Sequence, residues 1–284
     1  MRELDSGIAR AVGSRPVEYL PRPGGYTTAD RFSVDLADGS RAFVKSAVEP
    51  LLVEWLRREY EVYAALEASF MPRLLGWDDD GERALLVLED LRDAEWRWSW
   101  DSARVDAVVS VIDKLGVAPL PPNTPSLRDA QPGLFDRWRE VERDPDPFLS
   151  LELRDGAWLE RHLPTIITAA KSAPVDGDAL CHFDVRSDNI CFRDGDCVLV
   201  DWNWALRASA RLDLIGWLPS LATEGGPMPW ELLSGETLGP VALLSGVWAS
   251  VAGLPPPPTA PQVRELQRRQ LAVVLDWLDR QLSA

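Results

Sequence analysis

The pattern of apolar and polar residues over 16–47 predicts β-strands joined by turns. Residues 31–36 alternate strictly, and residues 42–45 are predicted as a second strand after the dipeptide Asp38-Gly39. Glycine accepts the positive φ of a tight turn, so these two runs predict a β-hairpin. The apolar run 83–88 does not alternate, which predicts a strand inside a sheet rather than at its exposed edge.

Helical spacing begins at residues 51–67, where apolar side chains recur three and four positions apart. Glu59 lies on that apolar face, where an unpaired carboxylate is unfavourable, so we expect it to have a cationic partner. Pro164 is expected to bend or split a later helix, and the proline-rich run 119–134 predicts an extended connection. The later helices are predicted at 102–116, 156–171, 208–223, 240–251 and 262–282.

The order of these elements predicts an α+β protein. Residues 1–90 form a small β-rich part and residues 91–284 a larger, mostly helical part, with a hinge near 89–93. A length of 284 residues suits two domains or one bilobal domain. No internal repeat is present.

Charge restricts the partners of the chain. The formal net charge is −15, from 45 acidic and 30 basic residues, whereas nucleic acids and anionic membranes attract clustered Lys and Arg. The acidic excess fits either a solvated surface or the attraction of a cationic ligand.

No apolar run approaches the about 18 residues that span a bilayer, and the N-terminus lacks the apolar core of a secretory signal. The spacing of the three cysteines fits no metal or redox motif and predicts reduced thiols. We expect a cytoplasmic monomer or weak dimer.

The strongest chemical signal lies at residues 181–189, Cys-His-Phe-Asp-Val-Arg-Ser-Asp-Asn. Asp184 and Asn189 are five positions apart, and a predicted hairpin leads on to Asp201. This is the spacing of a kinase catalytic loop followed by a metal-binding aspartate. Phosphoryl transfer needs a carboxylate that orients the attacking hydroxyl and accepts its proton, and oxygen ligands for Mg²⁺. We expect Asp184 to orient the acceptor, and Asn189 and Asp201 to bind the metal. Asp and Asn also form turns; the ordered set of Gly loop, strand lysine, helix glutamate, hinge and catalytic loop favours the catalytic interpretation.

The segments HFDVRSDNI and VLVDWNWA resemble the aminoglycoside phosphotransferase and choline kinase family of the protein-kinase-like superfamily. Members typically read H-G-D-L-H-x-x-N and then D-W-E. The resemblance follows nearly the whole chain in order and is most specific at 181–214. It implies a bilobal protein-kinase-like fold, with a small β-rich N-lobe and a larger, mostly helical C-lobe.

The resemblance also implies roles for individual residues. Lys45 would bind the α- and β-phosphates, and Glu59 would pair with it. His182 and Asp213 would support the catalytic loop, Asp213 by accepting backbone hydrogen bonds. The remaining implied nucleotide contacts are the covering loop, at Gly25, Thr27 and Thr28, and the hinge backbone, at Glu89 and Leu91.

Three positions depart from the family pattern: Phe183 replaces Gly, Arg186 replaces His, and Asn203 replaces Glu. None of them removes a catalytic or metal-binding group. Arg186 would lie close to Asp184 and could contact phosphate or substrate, which leaves the substrate class open.

Aromatic and acidic residues alternate just after the predicted hinge. Trp96, Trp98 and Trp100 lie among acidic residues that include Asp101. They could form a wall for a cationic acceptor, with Trp98 and Asp101 as substrate contacts. They could equally anchor a loop by packing, which is the commoner use of large aromatic side chains.

Together these patterns predict a Mg²⁺- and ATP-dependent phosphotransferase acting on a small-molecule hydroxyl, with GTP open as the donor. An aminoglycoside or related amino sugar is the first expectation for the acceptor. Choline-like and other small metabolites are alternatives. A protein of the same fold that binds nucleotide without catalysis is the alternative from another class.

Overall fold

The N-terminal part of the chain forms an antiparallel sheet flanked by two helices. The computed structural model describes residues 2–22, 29–235, 237–257 and 260–283. Helix α1 spans Arg2–Val12 and helix α2 spans Pro50–Ala65. The strands are β1 (Pro16–Pro21), β2 (Asp30–Leu36), β3 (Arg41–Ala47), β4 (Leu74–Asp79) and β5 (Ala84–Glu89), in the spatial order β1-β2-β3-β5-β4.

Alternation along these strands separates two faces of the sheet. Val34, Val44 and Val87 are buried in one apolar cluster with Leu4 and Ile8 of α1. The expectation of an internal strand at 83–88 is confirmed, since β5 pairs with β3 on one side and β4 on the other. Helix α1 was not predicted, because its short amphipathic pattern has only a few apolar positions.

The remainder of the chain is mostly helical, with two small two-stranded sheets. Strand β6 (Ala179–Cys181) pairs with β9 (Leu206–Ala208), and β7 (Ile190–Arg193) pairs with β8 (Asp196–Leu199). The helices are α3 (Ser102–Leu115), α4 (Leu127–Ala130), α5 (Arg137–Arg143), α6 (Asp146–Leu149), α7 (Gly156–Lys171), α8 (Leu212–Thr223), α9 (Pro229–Leu232), α10 (Leu238–Val251) and α11 (Val263–Leu282).

The chain divides into two compact units. The first comprises Met1–Trp98, Pro119–Thr124 and Ser187–Ala205, and the second comprises Ser99–Ala118, Pro125–Arg186 and Leu206–Ala284. In the second unit α10 packs against α5, α7 and α11. The predicted domain boundary near 89–93 stays a prediction.

The predicted helices are confirmed with small shifts at their ends. Pro164 was expected to bend or split its helix. A split is wrong, because α7 continues through Pro164 and buries Leu159 before it and Ile166 and Ile167 after it. The run 119–134 is not wholly extended, since it contains α4 and the start of a 3₁₀ helix at Pro132–Asp136. Proline suits the first turn of a helix, where its missing N–H has no partner to lose.

No helix in the described part of the chain combines the length and the apolar character needed to cross a bilayer. The cytoplasmic location and the oligomeric state stay predictions.

A buried ion pair joins strand β3 to helix α2. Lys45 Nζ lies 2.7 Å and 2.9 Å from the two carboxylate oxygens of Glu59, and both side chains are almost fully buried. Glu59 therefore has the cationic partner that its place on an apolar helix face requires. Since a buried charge is unfavourable without its partner, neither residue can be replaced independently of the other.

Replacement of Lys45 alone is expected to destabilise the protein strongly. Lys45→Met leaves the Glu59 carboxylate buried without its closest cation and should lower the free energy of unfolding by roughly 3–5 kcal/mol. Urea denaturation measures this loss. The double variant Lys45→Met, Glu59→Leu should recover most of it, because both charges are then absent. Equal stability of the single and double variants would contradict this account.

All three cysteines are buried and lie outside disulfides. Burial raises the pKa of Cys191 to about 12, and burial also raises the pKa of Cys181. Because the thiolate is the reactive form, a raised pKa keeps these thiols protonated and unreactive near neutral pH.

We therefore expect the folded protein to react with less than one equivalent of a disulfide reagent such as DTNB at pH 8. Unfolding in guanidinium should then release all three thiols, which absorbance at 412 nm counts. Rapid labelling of a thiol in the folded protein, without loss of structure by circular dichroism, would show that the burial is incomplete.

Candidate active site

The hairpin β7–β8 holds Asn189 and Asp201 at the same end. A 3₁₀ turn at Ser187–Asn189 leads into β7, and Asp201 follows shortly after β8. The N–H of Val200 donates to the carbonyl oxygen of Asn189 at 3.0 Å. Because this backbone bond closes the hairpin, the predicted metal ligands are held at neighbouring positions by local structure. Asn189 is buried, whereas the Asp201 side chain keeps 32% of its surface exposed.

Lys45 links this hairpin to the β-sheet. Its Nζ lies 2.9 Å from Asp201 Oδ1, in addition to its two contacts with Glu59. Burial by itself lowers the pKa of Lys45, but the charges of Asp201 and Glu59 outweigh burial and raise it. Burial raises the pKa of Glu59, against the attraction of Lys45. The ammonium group therefore stays protonated at neutral pH.

A cavity of about 650 Å³ opens within the first unit beside this ion pair. Its apolar wall includes Phe43, Leu88, Leu91 and Val200, which suits a flat aromatic ligand. Its polar side brings together Lys45, Asn189 and Asp201. The other described residues that line it are Arg22, Arg31, Ser33, Tyr63, Pro72, Glu89, Asp90, Arg92, Trp96, Arg97, Ser187 and Asp188.

The predicted hinge borders this cavity at Glu89 and Leu91. The carbonyl oxygen of Leu91 accepts hydrogen bonds from Ala94 N–H at 3.0 Å and from Trp96 Nε1 at 2.9 Å. The side chain of Glu89 accepts from Arg193 Nη1 at 2.9 Å. The indole of Trp96 and the guanidinium of Arg193 thus fix the path of the chain after β5.

The oxygen ligands available here suit a hard divalent cation. No group of three or more His, Cys, Asp or Glu side chains that could hold a metal occurs in the described ranges. Asn189 and Asp201 offer one amide and one carboxylate oxygen donor on the same cavity. Mg²⁺ is usually bound through one or two protein ligands together with phosphate oxygens and water, so this donor set fits it.

The loop that carries Asp184 belongs to the second unit and is held by hydrogen bonds to Asp213. Its carboxylate accepts hydrogen bonds from the backbone N–H of His182 at 2.6 Å and of Phe183 at 2.8 Å. Burial raises the pKa of Asp213, against the favourable charge of His182 and these two bonds. His182 is fully buried, and its Nδ1 accepts from the Asp184 N–H at 3.3 Å. The family resemblance implies that His182 and Asp213 support the catalytic loop, and these roles stay predictions.

Two of the departures from the family pattern lie in this loop. Phe183 takes a left-handed conformation with φ of 63°. Glycine, the usual residue here in the family pattern, adopts this conformation more easily than any other residue. Arg186 Nε lies 3.4 Å from Asp184 Oδ1, so the arginine contacts the proposed catalytic carboxylate directly.

Several predicted site residues are placed elsewhere or have other contacts. Asp101 caps helix α3 by accepting a hydrogen bond from the Arg104 N–H at 2.9 Å. Trp98 packs edge-on against Phe192, with ring centroids 4.9 Å apart. Neither occurs among the described residues that line the cavity. The predicted loop contacts at Gly25, Thr27 and Thr28 lie outside the described residues.

Sequence reasoning missed several residues that line the cavity, among them Tyr63, Arg22 and Arg31. Tyr63 lies one helical turn after Glu59, a spacing that could have indicated it, and burial raises its pKa. Arg22 and Arg31 flank the predicted loop. The hairpin pattern was the sequence feature that could have indicated Arg22 and Arg31. It does so only when the pairing register of the strands is known.

Comparisons with known proteins agree with this geometry. The family model described as the phosphotransferase enzyme family, APH, matches residues 18–254. No curated protein sequence matches the chain.

Solved structures of similar fold include three enzymes named as phosphotransferases or kinases. Spectinomycin phosphotransferase APH(9)-Ia, in complex with ADP and spectinomycin, aligns over 99% of this chain and 98% of its own at 10% identity, with a TM-score of 0.61. Amicoumacin kinase hAmiN, in complex with AMP-PNP and Ca²⁺, aligns over 97% and 93% at 11% identity, with a TM-score of 0.58. Macrolide 2′-phosphotransferase MphH from Brachybacterium faecium aligns over 100% and 93% at 15% identity, with a TM-score of 0.54.

At these identities the likenesses concern the fold, and they confirm the α+β, protein-kinase-like class. The family model covers most of the chain and confirms the resemblance found in the motifs. The chain belongs to the phosphotransferase enzyme family and is a small-molecule kinase that phosphorylates a hydroxyl group.

Proposed function

We propose that this enzyme transfers the terminal phosphoryl group of ATP, in the presence of Mg²⁺, to a hydroxyl of a small cationic acceptor. An aminoglycoside or related amino sugar is the first candidate for that acceptor. The observation that carries the proposal is the convergence of Lys45, Asn189 and Asp201 on one cavity with an apolar wall.

The nucleotide would occupy this cavity. The apolar wall suits an adenine ring, and the hinge residues Glu89 and Leu91 offer backbone groups at its border. The Lys45 ammonium suits phosphate oxygens, because it is a protonated donor at neutral pH. Two enzymes of similar fold are complexed with ADP or with AMP-PNP and Ca²⁺, which supports a nucleotide and a divalent metal here.

Asn189 and Asp201 would hold the Mg²⁺ through their side-chain oxygens. A bound Mg²⁺ supplies neutralisation of the charge on the phosphate oxygens during transfer. The chain's own contribution is positional, since the Val200–Asn189 backbone bond keeps the two ligands at one end of the hairpin.

Asp184 would orient the acceptor hydroxyl and take its proton as the oxygen attacks the terminal phosphorus. The bond between that phosphorus and the bridging oxygen breaks, and ADP leaves with the electron pair. The Asp184 side chain is 29% exposed, so it is accessible to a substrate, while Asp213 holds the loop through two backbone bonds. Arg186 would contact the acceptor or a phosphate from beside Asp184.

A cationic acceptor is supported by charge. The chain carries a net −15, and an acidic protein concentrates cationic ligands near its surface. The enzymes of similar fold are named for the small molecules spectinomycin, macrolides and amicoumacin. Trp98 and Asp101 stay predictions as substrate contacts, alongside their packing and capping contacts.

The proposal is tested by acceptor-dependent release of ADP from Mg²⁺-ATP over a panel of amino sugars and choline-like compounds. We expect turnover with at least one amino sugar. Asp184→Asn should lower kcat by about 10²–10⁴-fold, because the side chain then no longer accepts the proton. Asp201→Asn should raise the Mg²⁺ concentration needed for half-maximal activity.

Asp194→Asn is the matched control. It makes the same change of charge in the exposed β7–β8 turn, and Asn tolerates the left-handed conformation found there. Its activity should equal that of the wild type. Full activity of Asp184→Asn would contradict the role of Asp184. Choline-dependent turnover alone would support the choline-like alternative, and nucleotide binding without turnover on any acceptor would support the silent protein.

A further inference from the structure

Three cationic residues lie side by side across the β-sheet. The Cα of Arg31 on β2 is paired with that of Lys45 on β3. The backbone N–H of Arg22, just after β1, donates to the carbonyl oxygen of Arg31 at 2.9 Å. Residues directly opposite each other in an antiparallel pair project to the same face of the sheet. Arg31 is therefore a cross-strand neighbour of Lys45.

All three residues line the same cavity. Arg31 and Ser33 alternate with Phe32 and Val34 along β2, and Phe32 and Val34 belong to the face that α1 covers. Arg31 and Ser33 therefore lie on the other face of the sheet. The row of Arg22, Arg31 and Lys45 thus borders the space assigned to the nucleotide.

The charge around Lys45 shows why one lysine is insufficient there. A single ammonium contacts two carboxylates, those of Glu59 and Asp201, so the trio carries a net negative charge. A nucleoside triphosphate is itself strongly anionic. Binding it against this trio requires further positive charge from the protein, in addition to any metal ion.

Arg22 and Arg31 are placed to supply that charge. Arg22 Nε donates to Ser33 Oγ at 2.8 Å, and Ser33 Oγ donates to Asp90 Oδ1 at 3.0 Å. Arg31 Nη1 donates to the carbonyl oxygen of Ala29 at 3.1 Å. The positive charge of Arg31 also acts on the buried Glu59. It lowers the pKa of Glu59, although burial, which raises that pKa, has the larger effect.

We propose that Arg31, with Arg22 beside it, binds the phosphates of the nucleotide as a second cationic site next to Lys45. A guanidinium suits this task because its planar fork matches two phosphate oxygens at once. The proposal rests on the nucleotide site proposed above and extends it to two residues outside the family motifs.

A series of ligands with increasing phosphate content tests the role of Arg31. Dissociation constants of ATP, ADP, AMP and adenosine are measured by calorimetry with Mg²⁺ present, for the wild type and for Arg31→Gln. Loss of charge-assisted bonds should weaken ATP and ADP by about 10- to 100-fold. Adenosine should change by less than about twofold. Arg22→Gln should show the same dependence on phosphate content with a smaller loss.

Arg31→Lys separates charge from packing. It keeps the positive charge and loses the fork, so its affinity for ATP should lie between those of the wild type and Arg31→Gln. Arg58→Gln is the matched control, because Arg58 is exposed on α2 of the same unit and forms an ion pair with the exposed Glu54. It should bind all four ligands as the wild type does. Thermal melting verifies that each variant is folded. If Arg31→Gln does not fold, the affinities of Arg31→Lys and Arg22→Gln test the proposal instead.

The outcomes distinguish this inference from the proposed function. If the wild type binds ATP no more tightly than adenosine, both are wrong. If the wild type prefers ATP and Arg31→Gln keeps that preference unchanged, the inference alone is overturned. An equal loss for adenosine and ATP would also overturn it, since it would show that Arg31 supports the shape of the cavity rather than binding phosphate.

Discussion

The contacts of the Lys45 ammonium group are the interaction on which the proposed nucleotide site depends. An ammonium has three N–H donors, and here three oxygens lie within hydrogen-bond distance, two from Glu59 and one from Asp201. A phosphate oxygen that binds Lys45 must therefore replace one of them. Asp201 is the partner that can leave, because its side chain is 32% exposed while that of Glu59 is 3% exposed. Release of Asp201 from Lys45 also makes its carboxylate available to a metal.

Backbone hydrogen bonds position the remaining chemical groups. The bond from Val200 to Asn189 sets the end of the β7–β8 hairpin, and the two bonds from His182 and Phe183 to Asp213 set the loop that carries Asp184. In each unit a short irregular segment is held by a nearby regular element. The groups proposed to take part in the reaction can thus lie on loops, where side chains are accessible, without depending on the loops' own stability.

The motifs were predictable because they are local in sequence. The spacing of Asp184, Asn189 and Asp201 indicated the chemistry, and the apolar stripe around Glu59 indicated a buried ion pair. The cavity contacts of Arg22 and Arg31 were not predictable, because alternation shows which face a residue occupies but not which residue lies opposite. Trp98 and Asp101 show the converse. Their aromatic and acidic pattern suits a substrate wall, yet it suits packing against Phe192 and capping of α3 equally well, and only three-dimensional contacts separate these uses.

The left-handed conformation of Phe183 affects the entropy of folding of the catalytic loop. A non-glycine residue adopts this conformation at an energy of about 1–2 kcal/mol, whereas glycine adopts it readily but has many more conformations to lose on folding. A phenylalanine at this point narrows the unfolded ensemble of the segment next to Asp184. Compared with a glycine at this position, phenylalanine makes the folded loop more strained and gives the unfolded segment fewer backbone conformations. The folded conformation of the loop is therefore stabilised by the two hydrogen bonds to Asp213 and not by the intrinsic preference of its backbone.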